Sequence, residues 1–214
     1  MKKALCFICL LGFAAAAGAN SGDVLFETNF GDIVIDLYPE EAEITVENFT
    51  GYVEDGFYDG LIFHRVARDP VTDNPFVIQA GAYDADLIHH APTSGPIVNE
   101  SYNGLSNLQY TVAMARGEPA DSATSQFYIN TADNTGLDRA NFWDGFGYAV
   151  FGEVVAGMEV VDAIAQVSTH YVNPGLRDVP DDPVIIESAT VIPEPATILL
   201  LGFGCLALVR KRKR

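Results

Sequence analysis

Apolar and polar side chains alternate over residues 32–38, with Ile33, Ile35 and Leu37 on one face and Asp32 and Asp36 on the other; a second alternating run covers 24–28. A period of two predicts half-buried strands, and the connection Asn29-Phe30-Gly31 between them predicts a hairpin. The period then changes. After Pro39, the acids Glu40, Glu41 and Glu43 lead into Ala42, Val46, Phe49 and Val53, spaced by four, three and four, which predicts a helix ending near Gly56. Short apolar or aromatic runs at 61–66, 76–83, 110–115, 127–130 and 148–155 follow, each flanked by Gly, Pro, Asn or Asp. They predict strands. A second helix is predicted over 158–166, with Val161, Ile164 and Ala165 turned inward, and a last strand over 184–191. Many short strands with no alternation of strand and helix predict a mainly β protein, its antiparallel sheet closed into a barrel whose open ends are capped by two helices. Two segments, 68–75 and 85–96, are turn-rich, and no repeat interrupts the chain.

The ends follow other rules. Residues 1–19 place two lysines before an apolar run and close on Ala17-Gly18-Ala19, the pattern of a secretory signal peptide cleaved before Asn20. Residues 196–209 are apolar and five basic residues follow them. That run falls short of the roughly 20 residues needed to span a bilayer as a helix, and the basic cluster would hold its end at the cytoplasmic side. With Pro193-Glu194-Pro195 immediately ahead, segment 193–214 resembles a PEP-CTERM sorting tail. The resemblance implies signal peptidase and an exosortase as processing partners and transient membrane association through the tail. It also implies delivery to the periplasm, outer envelope or extracellular matrix; a plain transmembrane tail anchor is the alternative. Residues 20–192 remain as one folded domain.

Charge narrows the partners of that domain. The chain has 12 Lys and Arg against 29 Asp and Glu, a net charge of −17. Seven of the basic residues lie at the ends, so 20–192 holds five arginines and 28 acids, a net charge of −23. Such a field repels anionic polymers and excludes nucleic acid as a partner. Cys6, Cys9 and Cys205 all lie in the terminal segments, leaving the domain without a thiol for disulfides or nucleophilic chemistry.

Three clusters carry the candidate chemistry. The first is Phe63-His64-Arg65-Val66 with Phe76-Val77-Ile78-Gln79-Ala80-Gly81; the second runs from Asn99-Glu100 through Gly104-Leu105-Ser106-Asn107 to Thr111-Val112-Ala113-Met114-Ala115-Arg116. The third is Ser122-Ala123-Thr124-Ser125-Gln126-Phe127-Tyr128-Ile129-Asn130, followed by Asp133-Asn134, Leu137-Asp138 and Gly147-Tyr148-Ala149-Val150-Phe151-Gly152. An arginine on an alternating strand, beside Gln79, Gln126 and aromatics, forms an apolar pocket rimmed by donors. No nucleophile stands in these clusters, so the pocket suits binding and polarising an amide better than hydrolysing one. Phe127, alternating with Tyr128, is expected in the core. His89-His90 are chain neighbours without the partner spacing of a metal site. Asp133 to Asp138 lacks the oxygen ligand at Leu137 and the closing Glu of a calcium loop. No metal is expected.

In this order, from 24 to 191, the clusters resemble the cyclophilin-type peptidyl-prolyl cis-trans isomerases, and most of all their bacterial branch. The resemblance implies an eight-stranded cyclophilin-like barrel and catalysis of X-Pro bond rotation in exported polypeptides, without a cofactor. Arg65 matches the catalytic arginine, with Phe76 and Gln79 beside it. Phe76, Val77, Tyr128 and Leu137 match the proline pocket; Gln79 and Gln126 match the glutamines that hold the arginine and the substrate backbone. Ala115 and Arg116 match the edge that contacts the substrate backbone, and Tyr148 matches a pocket position. His64 reads as structural. Three departures follow: about six extra residues within 68–75, Gly136 where many members have an aromatic residue, and Ala80 in place of a glycine. A non-catalytic adaptor for proline segments and a structural matrix barrel are the competing readings.

Overall fold

The computed structural model describes residues 22–193. The signal peptide expected over 1–19 and the tail beyond Pro193 lie outside the described residues. β1 (Asp23–Thr28) and β2 (Gly31–Leu37) form the predicted hairpin, Thr28 standing opposite Gly31. Their inward residues Val24, Phe26, Ile33 and Ile35 are fully buried. α1 (Glu43–Glu54) then packs its stripe of Val46, Phe49 and Val53 into the core, with Ala42 buried at its start. β3 (Arg65–Arg68), β4 (Pro75–Ala80), β5 (Thr111–Met114), β6 (Phe127–Asn130) and β7 (Val150–Ala156) follow. The chain ends through α2 (Met158–Ile164), the two-residue strands β8 (Thr169–His170) and β9 (Val179–Pro180), and β10 (Ile186–Ile192). Val161, Ile164 and Ala165 are buried, as the second helical stripe predicts.

The eight longer strands form one antiparallel sheet in the order β10-β1-β2-β7-β5-β6-β4-β3, and β8 pairs with β9 alone. The strand count agrees with expectation, but the closed barrel does not: the sheet curls into an open half-barrel whose edges, β10 and β3, are not partners. The residues before β3 lie along the start of β10 instead, through Phe63 N to Val184 O (2.9 Å), Ile186 N to Leu61 O (2.8 Å) and one bridge between Ile62 and Ile185. β3 is only four residues long, and β9 occupies its outer edge where Val66 N donates to Asp178 O at 2.8 Å. A continuous ladder from β3 to β10 therefore has no room.

Inside the curl lies an aromatic core. Phe26 stacks on Phe127 with ring centroids 5.4 Å apart, and Phe49 meets Phe127 edge to face at 5.3 Å. Each ring so buried contributes roughly 1.5–3 kcal/mol from area alone, and edge-to-face geometry adds about 0.5–1.5 kcal/mol per pair. Tyr58, also fully buried, donates its hydroxyl to Ser125 O at 2.9 Å, so its polar end is satisfied.

Candidate functional site

Strand register assembles the site on the outer face of the sheet. Arg65 of β3 stands opposite Gln79 of β4, Gln79 opposite Tyr128 of β6, and Tyr128 opposite Ala113 of β5. Alternation sends Phe127 into the core, where it is 0% exposed, and Tyr128 to the other face. There Val77 and Tyr128 belong to a second apolar cluster with Ala67, Ala113 and Val150, against which Phe76, Ala115, Leu137 and Tyr148 pack. Six of the expected substrate-contacting residues thus share one surface, although they come from five separate stretches of chain.

Beside this cluster opens a polar cleft of about 410 Å³, lined by Arg65, Gln79, Gln126, His64, Tyr83 and residues 174–177. Gln79 Nε2 donates to Gln126 Oε1 at 2.9 Å. Arg65 Nε lies 3.5 Å from Asp178 Oδ2, and its side chain is 41% exposed, so the guanidinium borders the cleft instead of extending into bulk solvent. Gly81 makes the wall between the two glutamines possible: at φ 94° a side chain there would place its Cβ 2.5 Å from Ser125 O. Ser125 Oγ in turn donates to Gly81 O at 2.9 Å.

The electrostatics separate two neighbours in sequence. His64 is buried, its ring 5.0 Å from that of Tyr83; desolvation, and then the adjacent Arg65 charge, lower its pKa to about 4. Its Nδ1 has no hydrogen-bond partner among the described residues. It is neutral at pH 7, as a structural histidine should be. Tyr128 donates its hydroxyl to Asn107 Oδ1 at 2.7 Å, and burial holds its pKa well above the ordinary value. Asn107 is fixed by Asp138, which accepts from Asn107 N at 2.7 Å, Asn107 Nδ2 at 2.9 Å and Ser106 Oγ at 2.5 Å. The acidic stretch 133–138 therefore braces the pocket floor from below.

Arg116 behaves differently from the other expected site residues. Its side chain is 3% exposed and points into the loop that precedes Tyr148. Nε donates to Gly147 O at 2.9 Å, Nη1 to Gly117 O at 3.0 Å, and Nη2 pairs with Asp144. The guanidinium also lies 5.0 Å from the Tyr148 ring centroid and 5.5 Å from that of Phe142. Only its backbone is left to meet a substrate. Ala115 N is bonded to Gln126 O at 2.9 Å, which continues the β5–β6 pairing to the lip of the cleft. His89 and His90 diverge, the first toward the Tyr83 ring and the second to Asp84 Oδ2 at 2.9 Å. Sequence reasoning missed Asp178 and the Asn107–Asp138 brace. No local pattern links Asp178 to Arg65, or Asp138 to Asn107, which lies 31 residues away in the chain.

Comparison with known proteins accords with this geometry. Residues 23–191 match the family model described as cyclophilin type peptidyl-prolyl cis-trans isomerase/CLD, and residues 191–214 match the PEP-CTERM protein-sorting motif. The chain is 46% identical over 186 residues to peptidyl-prolyl cis-trans isomerase A of Dickeya dadantii, covering 86% of this chain and 93% of the relative. It is 47% identical over 170 residues to peptidyl-prolyl cis-trans isomerase B of Escherichia coli, covering 78% and 98%. A solved cyclophilin type peptidyl-prolyl cis-trans isomerase of Cryptosporidium parvum, crystallised in the presence of the dipeptide Ala-Pro, shares the fold at a TM-score of 0.61 and 20% identity, covering 80% of this chain and 99% of that one. With its outer-face row of Arg65, Gln79 and Tyr128 and a match over the whole described domain, the chain belongs to the cyclophilin-type peptidyl-prolyl cis-trans isomerases and carries a PEP-CTERM sorting motif at its C-terminal end.

Proposed function

We propose that Arg65 is the catalytic cation of this isomerase and that Val77, Tyr128, Leu137 and Phe76 seat the substrate proline ring. X-Pro rotation passes through a twisted amide across a barrier of about 18–20 kcal/mol, and unaided it takes tens to hundreds of seconds. In the twisted state the proline nitrogen recovers the lone pair that the planar amide delocalises. A guanidinium donating to that nitrogen binds the twisted form better than either planar isomer, and only such differential binding accelerates the step. Shortening a half-time of about 100 s to about 10 ms takes roughly 5–6 kcal/mol. A charge-assisted hydrogen bond in a largely apolar notch is of that order once orientation of the bound chain is added. Gln79, bonded to Gln126, fixes the polar wall; Gln126 keeps its own Nε2 donors for the substrate backbone, and the edge at Ala115 and Arg116 lies along the same chain. No group forms a covalent bond, and no proton needs to move.

The observation that carries this reading is the cross-strand row of Arg65, Gln79 and Tyr128, which sets a cation, an amide and an aromatic ring side by side on one rigid sheet. Exchange spectroscopy on an Ala-Pro peptide tests it. The 20–192 domain should accelerate exchange, and Arg65→Ala should lower kcat/KM by about 100-fold or more, the loss of one preorganised charged donor. Equal rates in the two proteins would remove Arg65 from the mechanism.

The sorting motif supports export and membrane association. We infer that signal peptidase cuts before Asn20, that an exosortase processes the 193–214 segment, and that the clients are exported polypeptides in the envelope or matrix. Mass spectrometry of the mature termini tests both cuts, since intact ends in exported protein would overturn them.

A further inference from the structure

The turn-rich insertion between Arg65 and Phe76 folds on itself into a fixed wall. Asp69 N donates to Asn74 O at 2.8 Å and Asp73 N to Asp69 O at 2.9 Å. Asp69 Oδ1 takes three further bonds, from Thr72 N (2.7 Å), Thr72 Oγ1 (2.9 Å) and Val71 N (3.0 Å). Arg68 ties the base of the wall to the body, donating to Asp73 O at 3.0 Å and to Ala165 O, just past α2, at 3.3 Å. Opposite stands the 3-10 turn Thr135–Leu137. Between the two lies a cleft of about 360 Å³ with an apolar floor of Phe76 and Leu137, both of which also pack on the proline-pocket cluster. A Cβ added at Gly136 would meet nothing within 4 Å, so this side of the cleft stays open.

Strand register says which part of a substrate reaches it. Along β6 and β4 the outer face runs from Gln126 and the Ala115 edge, past Tyr128 and Gln79, to Val77 and finally Phe76. At about 3.3 Å per residue, Phe76 lies roughly 10 Å from Gln79. A chain whose residues before the proline follow the Ala115 edge, with its ring over Val77 and Tyr128, sends the residues after the proline toward Phe76 and the cleft. The rims there are Asp69 and Asp133. Asp133 Oδ1 accepts from Gln109 N at 3.0 Å, so each carboxylate has Oδ1 engaged within the protein, while neither Oδ2 accepts a hydrogen bond among the described residues. Among the residues lining the cleft none is cationic.

We propose that this cleft is a specificity subsite for the residue one or two places after the substrate proline, and that it selects a long basic side chain. The proposal rests on the placement of the proline given above. The methylene stem of Lys or Arg would lie on Phe76 and Leu137 while its head reaches the two carboxylates, the arrangement in which amphipathic side chains bury best. A glutamate would meet the same apolar floor with both rims repelling it.

Exchange spectroscopy on two peptide series, Ala-Ala-Pro-Xaa-Ala and Ala-Ala-Pro-Ala-Xaa with Xaa Lys, Ala or Glu, tests this. In at least one series kcat/KM should fall in the order Lys, Ala, Glu, with a Lys-to-Glu ratio of about tenfold, the size of two partly exposed charge pairs. The double variant Asp69→Asn, Asp133→Asn keeps both Oδ1 acceptors and hence the turn. It should reduce the ratio below about threefold while the Ala peptide keeps its rate within twofold. A control pair of equal charge change, Glu47→Gln with Glu54→Gln on the exposed side of α1, should leave the ratio as it was. A ratio near one in both series, or one that the cleft variant leaves unchanged, overturns the subsite. Failure to accelerate even the Ala peptide would instead overturn the placement of the catalytic pocket beneath it.

Discussion

Arg65 Nε and Asp178 Oδ2 stand 3.5 Å apart across the junction of β3 and β9, where Val66 N also donates to Asp178 O at 2.8 Å. The two residues are far apart in the chain, and the short second sheet exists at the place where it brings them together. With Nε beside this carboxylate, the guanidinium is held at the border of the cleft that Arg65 lines. On the role proposed for Arg65, Asp178 is a positioning residue that acts through the guanidinium.

Asp178→Asn should therefore lower kcat and leave KM within about twofold. Asparagine tolerates the left-handed backbone at this position, where φ is 57°. Both side chains are about two-fifths exposed, so the pair is worth up to about 1 kcal/mol and the expected loss is about two- to fivefold. A rise in KM at constant kcat would mean that Asp178 contacts the substrate instead.

His64 makes stability depend on pH with a known sign. Its native pKa of about 4 lies below the ordinary value of 6.5, so between those two pH values the unfolded chain binds the proton and the native protein does not. Stability then rises with pH through that window and is lost on descending from about pH 6.5 toward pH 4. At 1.36 kcal/mol per unit, the loss from pH 7 to pH 4.5 is about 2–3 kcal/mol from this residue alone. Urea unfolding of the wild type and His64→Gln at the two pH values isolates it from the carboxylates. The variant should be less stable at pH 7, by the packing it loses on Tyr83, and less sensitive to the descent. Equal sensitivity in both proteins would show that His64 charges freely in the fold.

Much of this architecture was legible because it is periodic. The alternation in 32–38 and the stripe of Val46, Phe49 and Val53 depend only on which positions face inward, and burial in the fold follows both. Phe127 and Tyr128 were assigned to opposite faces by the same rule. What failed were features set by distant partners. Closure of the barrel depends on whether two edge strands find each other, and the lacing of Leu61–Phe63 to Val184–Ile186 leaves no trace in either segment's pattern. β8 and β9 have two residues each, too few for any period to show. Arg116 was expected at the substrate edge, and its side chain turns inward because Asp144, Gly147 and two aromatic rings gather around it, a set assembled only by the loop's path.

Glu100 is another such feature. The residue at the N-cap of α1 is Ala42, whose side chain cannot cap it, and Glu100 supplies the cap from a remote loop: its carboxylate accepts from Ile44 N at 3.3 Å, Thr45 N at 2.8 Å and Thr45 Oγ1 at 2.7 Å while only 5% exposed. A negative charge here also meets the positive end of the helix dipole. Glu100→Ala leaves three buried or half-buried donors unsatisfied and should cost about 2–4 kcal/mol in chemical denaturation, whereas Glu100→Gln, which keeps an acceptor but loses the charge, should cost about 1–2 kcal/mol. Equal costs would show that the charge contributes nothing. Because α1 packs behind the sheet, the surviving folded protein should keep its kcat/KM.

Arg116→Lys separates a brace from a substrate contact. The guanidinium joins Gly147 O, Gly117 O, Asp144 and the faces of Tyr148 and Phe142 at once, and a lysine ammonium can satisfy one or two of these but not the planar stack. The side chain is nearly buried, so the unmet partners are costly: the variant should lose about 2–3 kcal/mol of stability. Tyr148 lies at the far end of the same loop with its ring 5.7 Å from Tyr128, so a loosened loop also loosens the pocket wall. kcat/KM should fall a few-fold, chiefly through KM, and hydrogen exchange at Phe142–Tyr148 should speed up while β4 and β6 stay protected. A loss of activity with unchanged stability and exchange would instead make Arg116 a direct ligand of the substrate chain.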